Sequence, residues 1–489
     1  MPAAGAADTN PVPIPGVDPG VPDRGGNNVT GKDARPLRRL AIRGTLAGLI
    51  ILTLAGAYAL FETRRRDVDI APFLRTHAVT HSVAAANQQG QATTYDEQLA
   101  QINRTLDFAL ARARTSASDW HAQSGLATLY LGRARLTGSF DDYATAGRLF
   151  DRAFALAPAG HGPWLDRAVW NFSVHRLNAM DADLRAVEHY AVPDDGATAT
   201  VLGLRGDQAF YAGHYHQALA LYEASHRRLL MMSTSFRLAY YWGRMGDPDK
   251  ARRYLDEAES TIIGPQQQQR SFLELYRGIL ALDYGRWDEA ESHFRQADAI
   301  FPGSWIVEEH LAMVLALKGQ PDRAMAIYQA IAARTSLPEA ADAVAGLYRA
   351  TGDLPNAKAW AARADSLWRG RIALLPEAAY GHALDHLLAF GSPAETLALA
   401  QKNYRARPYA DAATQLAWAY MANHRPADAL EALKPVLSSG WVSAEPHVVA
   451  SEAWALLAEG SRADAERKAA LAINPRSLDR NPGLVWLEQ

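Results

Sequence analysis

Cysteine is absent from all 489 residues of the chain, which excludes disulfide bonds and every zinc or redox site that depends on thiolates. Neither sign of charge is in large excess. The formal net charge is −3 at pH 7, so no basic field points to nucleic acid as a partner. The sequence also lacks a Walker-type phosphate loop, a dinucleotide-binding G-x-G-x-x-G and a G-x-S-x-G nucleophile elbow. Because these motifs are absent, we expect no cofactor, and the sequence indicates none of the common enzyme classes.

Large apolar residues are scarce in residues 1–34, where Pro, Gly, Ala, Asn and Asp dominate. A segment of this composition cannot bury enough apolar surface to offset the entropy that it would lose on ordering. We therefore predict a disordered tail over residues 1–34.

Residues 44–61 form a run of 18 residues without a charged side chain. Basic residues flank this run on both sides, within residues 35–66. A helix of that length spans about 27 Å, close to the hydrocarbon thickness of a bilayer, about 30 Å. We predict a single transmembrane helix with its core at 44–61. Three alternatives remain open: a signal peptide with an Ala-Tyr-Ala cleavage site at 57–59, a twin-arginine signal at 38–39, and a buried core helix.

Basic residues are slightly more numerous before this helix than after it, which favours a cytoplasmic N-terminus. The rest of the chain would then lie outside the cytoplasm, in the periplasm if the protein is bacterial. Gly44 and Gly48 form a G-x-x-x-G pair, which can pack helices together in a membrane. Small residues are also common in such helices without this role.

A regular pattern of small and aromatic residues begins at Gly285 and ends at Pro302. Ala290, Phe294 and Ala297 follow the spacing i, i+4, i+7, so they share one face of a helix. The small residues allow close approach of a neighbouring helix, and the proline ends the helical region. Ala146, Phe150, Ala153 and Pro158 repeat the same offsets.

The anchor alanines give the repeat its period. The steps between Ala218, Ala251, Ala290, Ala324 and Ala357 are 33, 39, 34 and 33 residues. An insertion that contains a run of four glutamines explains the long step. A helix-turn-helix unit of about 34 residues is the tetratricopeptide period.

The chain resembles the tetratricopeptide repeat (TPR) family over residues 117–476 and, by its layout, uncharacterised membrane-anchored bacterial TPR proteins. The resemblance implies an all-α fold, a right-handed superhelical solenoid of about nine or ten helical hairpins. The transmembrane helix and the disordered tail would precede it. Residues 67–116 would form a linker and lead-in helices, and 477–489, with Trp486, a C-terminal tail or cap.

In the TPR family the first helix of each hairpin lines a concave groove that binds protein segments. This resemblance implies a protein partner and a set of candidate groove residues, with packing against neighbouring helices as the alternative role. These candidates are Phe210, Tyr211, Phe236, Tyr240, Arg244, Arg349 and Trp418. Lys and Asn, which form the carboxylate clamp of chaperone-binding TPR proteins, are absent from the corresponding positions, so a chaperone tail is not expected as the partner.

One pair of histidines has a spacing that suits a metal. His382 and His386 stand at i, i+4 on a predicted helix, with Asp385 between them. Ordinary polar residues on a repeat helix are the simpler interpretation, so we predict neither a metal site nor catalysis. The leading hypothesis is a membrane-anchored TPR scaffold for assembly of a cell-envelope or membrane complex. A metal-dependent hydrolase and a structural subunit of a large membrane complex are the alternatives.

Overall fold

The computed structural model describes residues 92–190 and 194–479. All regular secondary structure in these two ranges is helical: 21 α-helices and no strand. No helix within them is long and apolar enough to cross a membrane. The predicted tail at 1–34, the predicted transmembrane helix at 44–61 and Trp486 lie outside the described residues.

One lead-in helix is followed by ten hairpins of two helices each. The helices are α1 Tyr95–Thr115, α2 Trp120–Thr137, α3 Phe140–Leu156, α4 Trp164–Ser173, α5 Leu177–Tyr190, α6 Asp195–Tyr211, α7 Tyr215–Arg228, α8 Met232–Arg244, α9 Pro248–Ser260, α10 Gln267–Asp283, α11 Trp287–Ile300, α12 Trp305–Leu317, α13 Pro321–Arg334, α14 Pro338–Ala350, α15 Leu354–Leu374, α16 Pro376–Phe390, α17 Pro393–Ala406, α18 Ala410–Ala422, α19 Pro426–Leu437, α20 Ala444–Leu456 and α21 Gly460–Ile473. Each even-numbered helix from α2 onward is the first helix of a hairpin, and the next helix is the second.

The hairpin α10–α11 shows why the repeat sequence folds in this way. Ala290, Phe294 and Ala297 are fully buried along the inner face of α11. A Cβ atom added to Gly278 of α10 would lie only 2.4 Å from the ring of Phe294, so the glycine leaves the space that the ring fills. Gly285 connects the helices with a φ of 71°, in the left-handed region that favours glycine. Ala146, Phe150 and Ala153 are buried in the same way in α3.

The hairpins form two layers that lie against each other. We define the N-terminal layer as residues 120–300, the first five hairpins, and the C-terminal layer as residues 305–473, the last five. Each layer contains its own helix-to-helix packing, since every hairpin contacts the next along the chain. The layers meet where the turns inside the N-terminal hairpins contact the beginnings of the first helices in the C-terminal layer.

Hydrogen bonds between distant residues define this contact. The indole N–H of Trp305 donates to the carbonyl of Leu136 over 2.9 Å, across 169 residues of sequence. The backbone N–H of Ala410 donates to the hydroxyl of Tyr215 over 2.9 Å, across 195 residues. The backbone N–H of Val442 donates to the carbonyl of Arg244 at 2.9 Å. The chain therefore returns onto itself after five to six repeats of about 34 residues.

Aromatic side chains fill the space between the layers. The ring of Phe210 lies 5.8 Å from that of Trp441, and Tyr211 lies 5.0 Å from Tyr409, centroid to centroid. Each of these four residues is at most 6% exposed. The inner face of the N-terminal layer is thus covered by the C-terminal layer at these positions.

Candidate functional site

The seven residues predicted to line a concave groove are mostly in the interior. Phe210, Tyr211, Phe236, Tyr240 and Trp418 are each at most 1% exposed. Arg244 is buried and Arg349 is half-buried. For Phe210, Tyr211 and Arg244 the physical reason is the contact between the layers, which the repeat pattern does not show. Phe236, Trp418 and Arg349 instead pack against the next hairpin of their own layer. In this arrangement these residues present no open groove to a partner.

The predicted groove residues pack among neighbouring aromatic side chains. Phe236 lies 5.0 Å from Tyr276, and the ring of Tyr240 lies 5.3 Å from that of Phe210. The indole N–H of Trp418 donates to a carboxylate oxygen of Glu445 at 2.8 Å. These three residues therefore pack against neighbouring helices, which is the alternative role that the sequence analysis gave them.

The two predicted arginines also have partners within the fold. The Arg244 guanidinium lies 3.4 Å from the carboxylate of Asp283 and faces the ring of Trp441 at 5.6 Å. Arg349 donates to the carbonyl of Ala389 at 3.0 Å and faces the ring of Phe390 at 4.5 Å. Both side chains thus contribute to contacts between hairpins.

A buried carboxyl lies near Arg244. Burial raises the pKa of Asp411 to about 6, while the Arg244 guanidinium opposes the shift, Asp283 adds to it and Arg407 opposes it. One oxygen of Asp411 has no hydrogen-bond partner among the described residues. A carboxyl in this environment retains its proton to a higher pH than an exposed aspartate does.

One fully buried ion pair joins the third hairpin to the fourth. Nε and Nη2 of Arg237 donate to the two carboxylate oxygens of Asp207 over 3.0 and 2.8 Å. The hydroxyl of Tyr222 donates to the same carboxylate at 3.0 Å. The pair is complete and faces no cavity, so its role is in the packing of the repeats.

A cavity of about 60 Å³, with a mostly apolar wall and several polar side chains, lies between the two layers. The N-terminal layer contributes Arg135 and His175 to its lining, and the C-terminal layer contributes Glu339, Arg371 and His382. The turns of the first two hairpins place Arg135 and His175 at the layer contact. The beginning of α14, the end of α15 and the middle of α16 place the other three.

The charged groups of this cavity are unequally paired. Arg371 donates to one oxygen of Glu339 at 2.8 Å, while the second oxygen of Glu339 has no hydrogen-bond partner among the described residues. Arg135 donates from Nη2 to the hydroxyl of Ser173 at 3.0 Å, and its Nε has no partner there. Arg135 forms no ion pair with any described carboxylate, and its burial lowers its pKa to about 10. The cavity therefore holds one cation whose charge is not neutralised.

The two histidines of the cavity, His175 buried and His382 half-buried, are neutral at pH 7. Burial lowers the pKa of His175 well below its usual value, and the Arg407 guanidinium adds to the shift. Burial likewise lowers the pKa of His382 to about 3, with contributions from Arg407 and Arg371. Neither ring nitrogen of His175 has a hydrogen-bond partner among the described residues. These imidazoles supply polar atoms to the cavity without adding charge.

The backbone at His175 is unusual. Its φ is 59°, in the left-handed region, at the turn position where Gly138 and Gly213 stand in the hairpins on either side. A side chain in this conformation costs roughly 1–2 kcal/mol relative to glycine. Sequence reasoning missed this residue, although a histidine in place of a turn glycine was a visible signal.

The histidine pair considered for a metal is divided between two environments. His386 Nδ1 lies 2.6 Å from the carboxylate of Asp342, whereas the ring of His382 stacks against Trp368 at 6.5 Å between centroids. Arg371 and Arg407 lie near enough to His382 to lower its pKa, so a metal cation there would be repelled. Over residues 92–190 and 194–479, no group of three or more His, Asp or Glu side chains could hold a metal ion. The described residues thus give the hydrolase alternative no support.

Comparison with known proteins gives a repeat family and several distant structural neighbours. Human IFIT1, solved as a dimer with m7Gppp-AAAA, has 12% identity and a TM-score of 0.38, covering 72% of this chain and 90% of that chain. The anaphase-promoting complex hetero-tetramer Cut9–Hcn1 has 14% identity and a TM-score of 0.29, covering 78% of this chain and 95% of that one. PilW, a type IV pilus biogenesis factor, has 20% identity and a TM-score of 0.31, covering 49% of this chain and 98% of that one.

A search of curated protein sequences finds no match. The sequence profile of the tetratricopeptide repeat matches residues 281–347, which extend from the end of α10 into α14. Complete hairpins precede and follow this range. The chain therefore contains tetratricopeptide repeats, identified by sequence over residues 281–347.

Proposed function

We propose that this protein is a membrane-anchored TPR scaffold that binds protein partners and assists the assembly of a cell-envelope or membrane complex. The observation that carries the proposal is the array of ten helical hairpins, part of which matches the tetratricopeptide repeat. Stacked helical repeats provide extended surfaces for contact with other proteins. A protein partner is the ligand class that such surfaces fit best.

The membrane anchor in this proposal is the apolar segment 44–61. Its length and the basic residues at its ends support a single span. Tethering would confine the array to the membrane surface and raise the effective concentration of partners in the same membrane. The charge bias supports a cytoplasmic N-terminus and an array outside the cytoplasm.

Two modes of partner binding are compatible with the repeats. A partner that uses the predicted groove residues Phe210, Tyr211 and Arg244 must separate the N-terminal and C-terminal layers, because these side chains contact aromatic residues across the layer contact. A partner that uses the outer faces of the second helices leaves the layers in contact. The two modes differ in whether the layers must open.

Cross-linking in intact membranes tests the scaffold proposal. The full chain would be cross-linked, purified and examined by mass spectrometry beside a control bait of residues 1–91 alone. We expect proteins enriched on the full chain and absent from the control, with cross-links to residues of the array. A full chain that remains free of array-specific cross-links would contradict the proposal.

A covalent lock between the layers then separates the two binding modes. A Cβ atom at Gly285 would lie 3.6 Å from the Cβ of Arg476, close to the mean Cβ separation of about 3.8 Å in disulfides. The same Cβ would lie only 2.2 Å from Oδ1 of Asn474, so the lock is built in an Asn474→Ala background, which removes that overlap. The chain has no other cysteine to interfere. Partner binding by Gly285→Cys/Arg476→Cys that is lost on oxidation and restored on reduction indicates the groove. Binding that persists after oxidation indicates the outer faces.

A further inference from the structure

We propose that the cavity between the layers is a binding site for a small oxyanion, with phosphate preferred, held by Arg135 and His175 from the N-terminal layer. This inference concerns a small-molecule ligand, and it does not depend on the proposed scaffold function. Its basis is the set of buried polar atoms that face the cavity without partners.

Arg135 carries a buried positive charge that a bound anion would neutralise. Its side chain is 3% exposed. Within residues 92–190 and 194–479 its Nε has no hydrogen-bond partner, and its one side-chain acceptor is the neutral hydroxyl of Ser173. An unpaired charge is expensive to bury, so buried arginines are ordinarily paired with carboxylates. Arg237 in the same fold follows this rule with Asp207. An anion in the cavity would give Arg135 the charged partner that the described residues do not supply.

The other polar groups of the cavity fit an oxyanion that still carries a proton. His175 is 3% exposed and can donate from one ring nitrogen in its neutral form. Glu339 keeps one oxygen free while its other oxygen accepts from Arg371. That free oxygen accepts a hydrogen bond and repels a fully ionised anion. Hydrogenphosphate satisfies all three groups, because it accepts from Arg135 and His175 and donates its hydroxyl to Glu339.

The size of the cavity sets an upper limit on the ligand. Its volume is about 60 Å³, and one water requires about 10–15 Å³ measured in the same way. The space holds a few waters or one small oxyanion, and it is too small to bury a whole nucleotide or peptide. The lining comes from both layers, so a bound oxyanion would also strengthen the contact between them.

Thermal unfolding and isothermal titration calorimetry of the full chain in detergent test the proposal. The probes are inorganic phosphate, sulfate and acetate, each at matched ionic strength against chloride. We expect a saturable rise in Tm and one bound phosphate per chain for the wild type. Sulfate, which has no proton to donate at pH 7, should bind at least about 10-fold more weakly, the loss expected when a hydrogen-bond donor is removed next to a carboxylate.

Three variants make the result specific to this cavity. Arg135→Met should abolish the response to phosphate, and His175→Gly should weaken it severalfold while relieving the left-handed backbone at that turn. Arg152→Met removes an exposed arginine of α3 and should leave the response unchanged. If Arg135→Met does not fold, the weaker response to phosphate expected of His175→Gly still tests whether phosphate binds in this cavity.

Two results would overturn the proposal. One is the absence of any saturable effect of phosphate on the wild type. The other is an equal effect on the wild type, Arg135→Met and His175→Gly, which would show binding elsewhere on the surface. An equal affinity for phosphate and sulfate would contradict the role given to Glu339.

Discussion

Two buried arginines of the N-terminal layer, Arg237 and Arg135, should respond differently to the same substitution. Arg237 is held by both oxygens of Asp207, and the side chains of the pair are 2% and 0% exposed. Arg237→Met keeps much of the apolar volume but leaves the Asp207 carboxylate buried with only the hydroxyl of Tyr222. Breaking one side of a buried pair costs about 3–5 kcal/mol, which is the loss that we expect.

Arg135→Met is the matched comparison. Arg135 is 3% exposed, yet it has no carboxylate partner among the described residues. Its removal therefore leaves no buried carboxylate without a counter-charge. The substitution removes an unpaired buried cation and leaves only the hydroxyl of Ser173 without its donor. In the absence of phosphate we expect a change within about 1 kcal/mol, or a gain in stability.

Hydrogen exchange followed by mass spectrometry measures both effects where they arise. The opening free energies of amides in α6 and α8 report on the Arg237 pair, and those in α2 and α4 report on Arg135. A local measurement is preferable because a long repeat array does not have to unfold in one step. The double variant Arg237→Met/Asp207→Leu should recover much of the loss, since it removes both charges. Equal losses for Arg237→Met and Arg135→Met would refute the reasoning.

Three further predictions concern the turns, a buried carboxyl and the close contacts within hairpins. His175→Gly should stabilise its hairpin by about 1 kcal/mol through relief of backbone strain, and His424→Gly, at an exposed turn with a φ of 57°, should do the same; a loss in both by urea unfolding would contradict this. Asp411 has a folded-state pKa raised to about 6, so its contribution is fully present below pH 4 and is lost as pH rises through 6. Asp411→Asn should therefore gain stability relative to the wild type between pH 4 and 6, by at most about 3 kcal/mol, and a pH-independent difference would count against it. Gly278→Ala places its Cβ 2.4 Å from an aromatic ring and should cost about 1–3 kcal/mol. Gly125→Ala, with nothing within 4 Å, should stabilise by about 0.5–1 kcal/mol; the same sign of change in both thermal melts would be inconsistent with the packing described.

The repeat units could be predicted from the sequence because their determinants are local. Gly285, Ala290 and Phe294 lie within ten residues of one another and specify one turn and one buried helix face. Because the unit of two helices recurs about every 34 residues, the sequence also predicts the alternation of first and second helices along the chain. The all-α fold and its helical hairpins are confirmed for the described residues.

The contact between the layers could not be predicted in the same way. It joins residues such as Tyr215 and Ala410, which are 195 positions apart, and a 34-residue period says nothing about which repeats meet after one full turn. For that reason Phe210 and Tyr211 were assigned to an open groove although they are buried. The sequence does not single out Arg135 and Glu339, because what distinguishes them is a buried polar atom without a hydrogen-bond partner among the described residues. That property can be seen only once the two layers are in place.

The most direct test of the account is whether the two layers are in contact in solution. Gly285→Cys/Arg476→Cys, built like its control in an Asn474→Ala background, places two thiols within disulfide range only if the segment that directly follows the C-terminal layer lies on the turn of α10–α11. The matched control Gly352→Cys/Arg476→Cys uses a turn glycine with a φ of 82° and no other residue within 4 Å of its added Cβ. Mild oxidation should close an intramolecular disulfide almost completely in the first variant and not in the control, as read by mobility on a non-reducing gel. Failure of the first variant to close, with both thiols free to react with a maleimide, would contradict the stacked arrangement and leave the inner face of the repeats open.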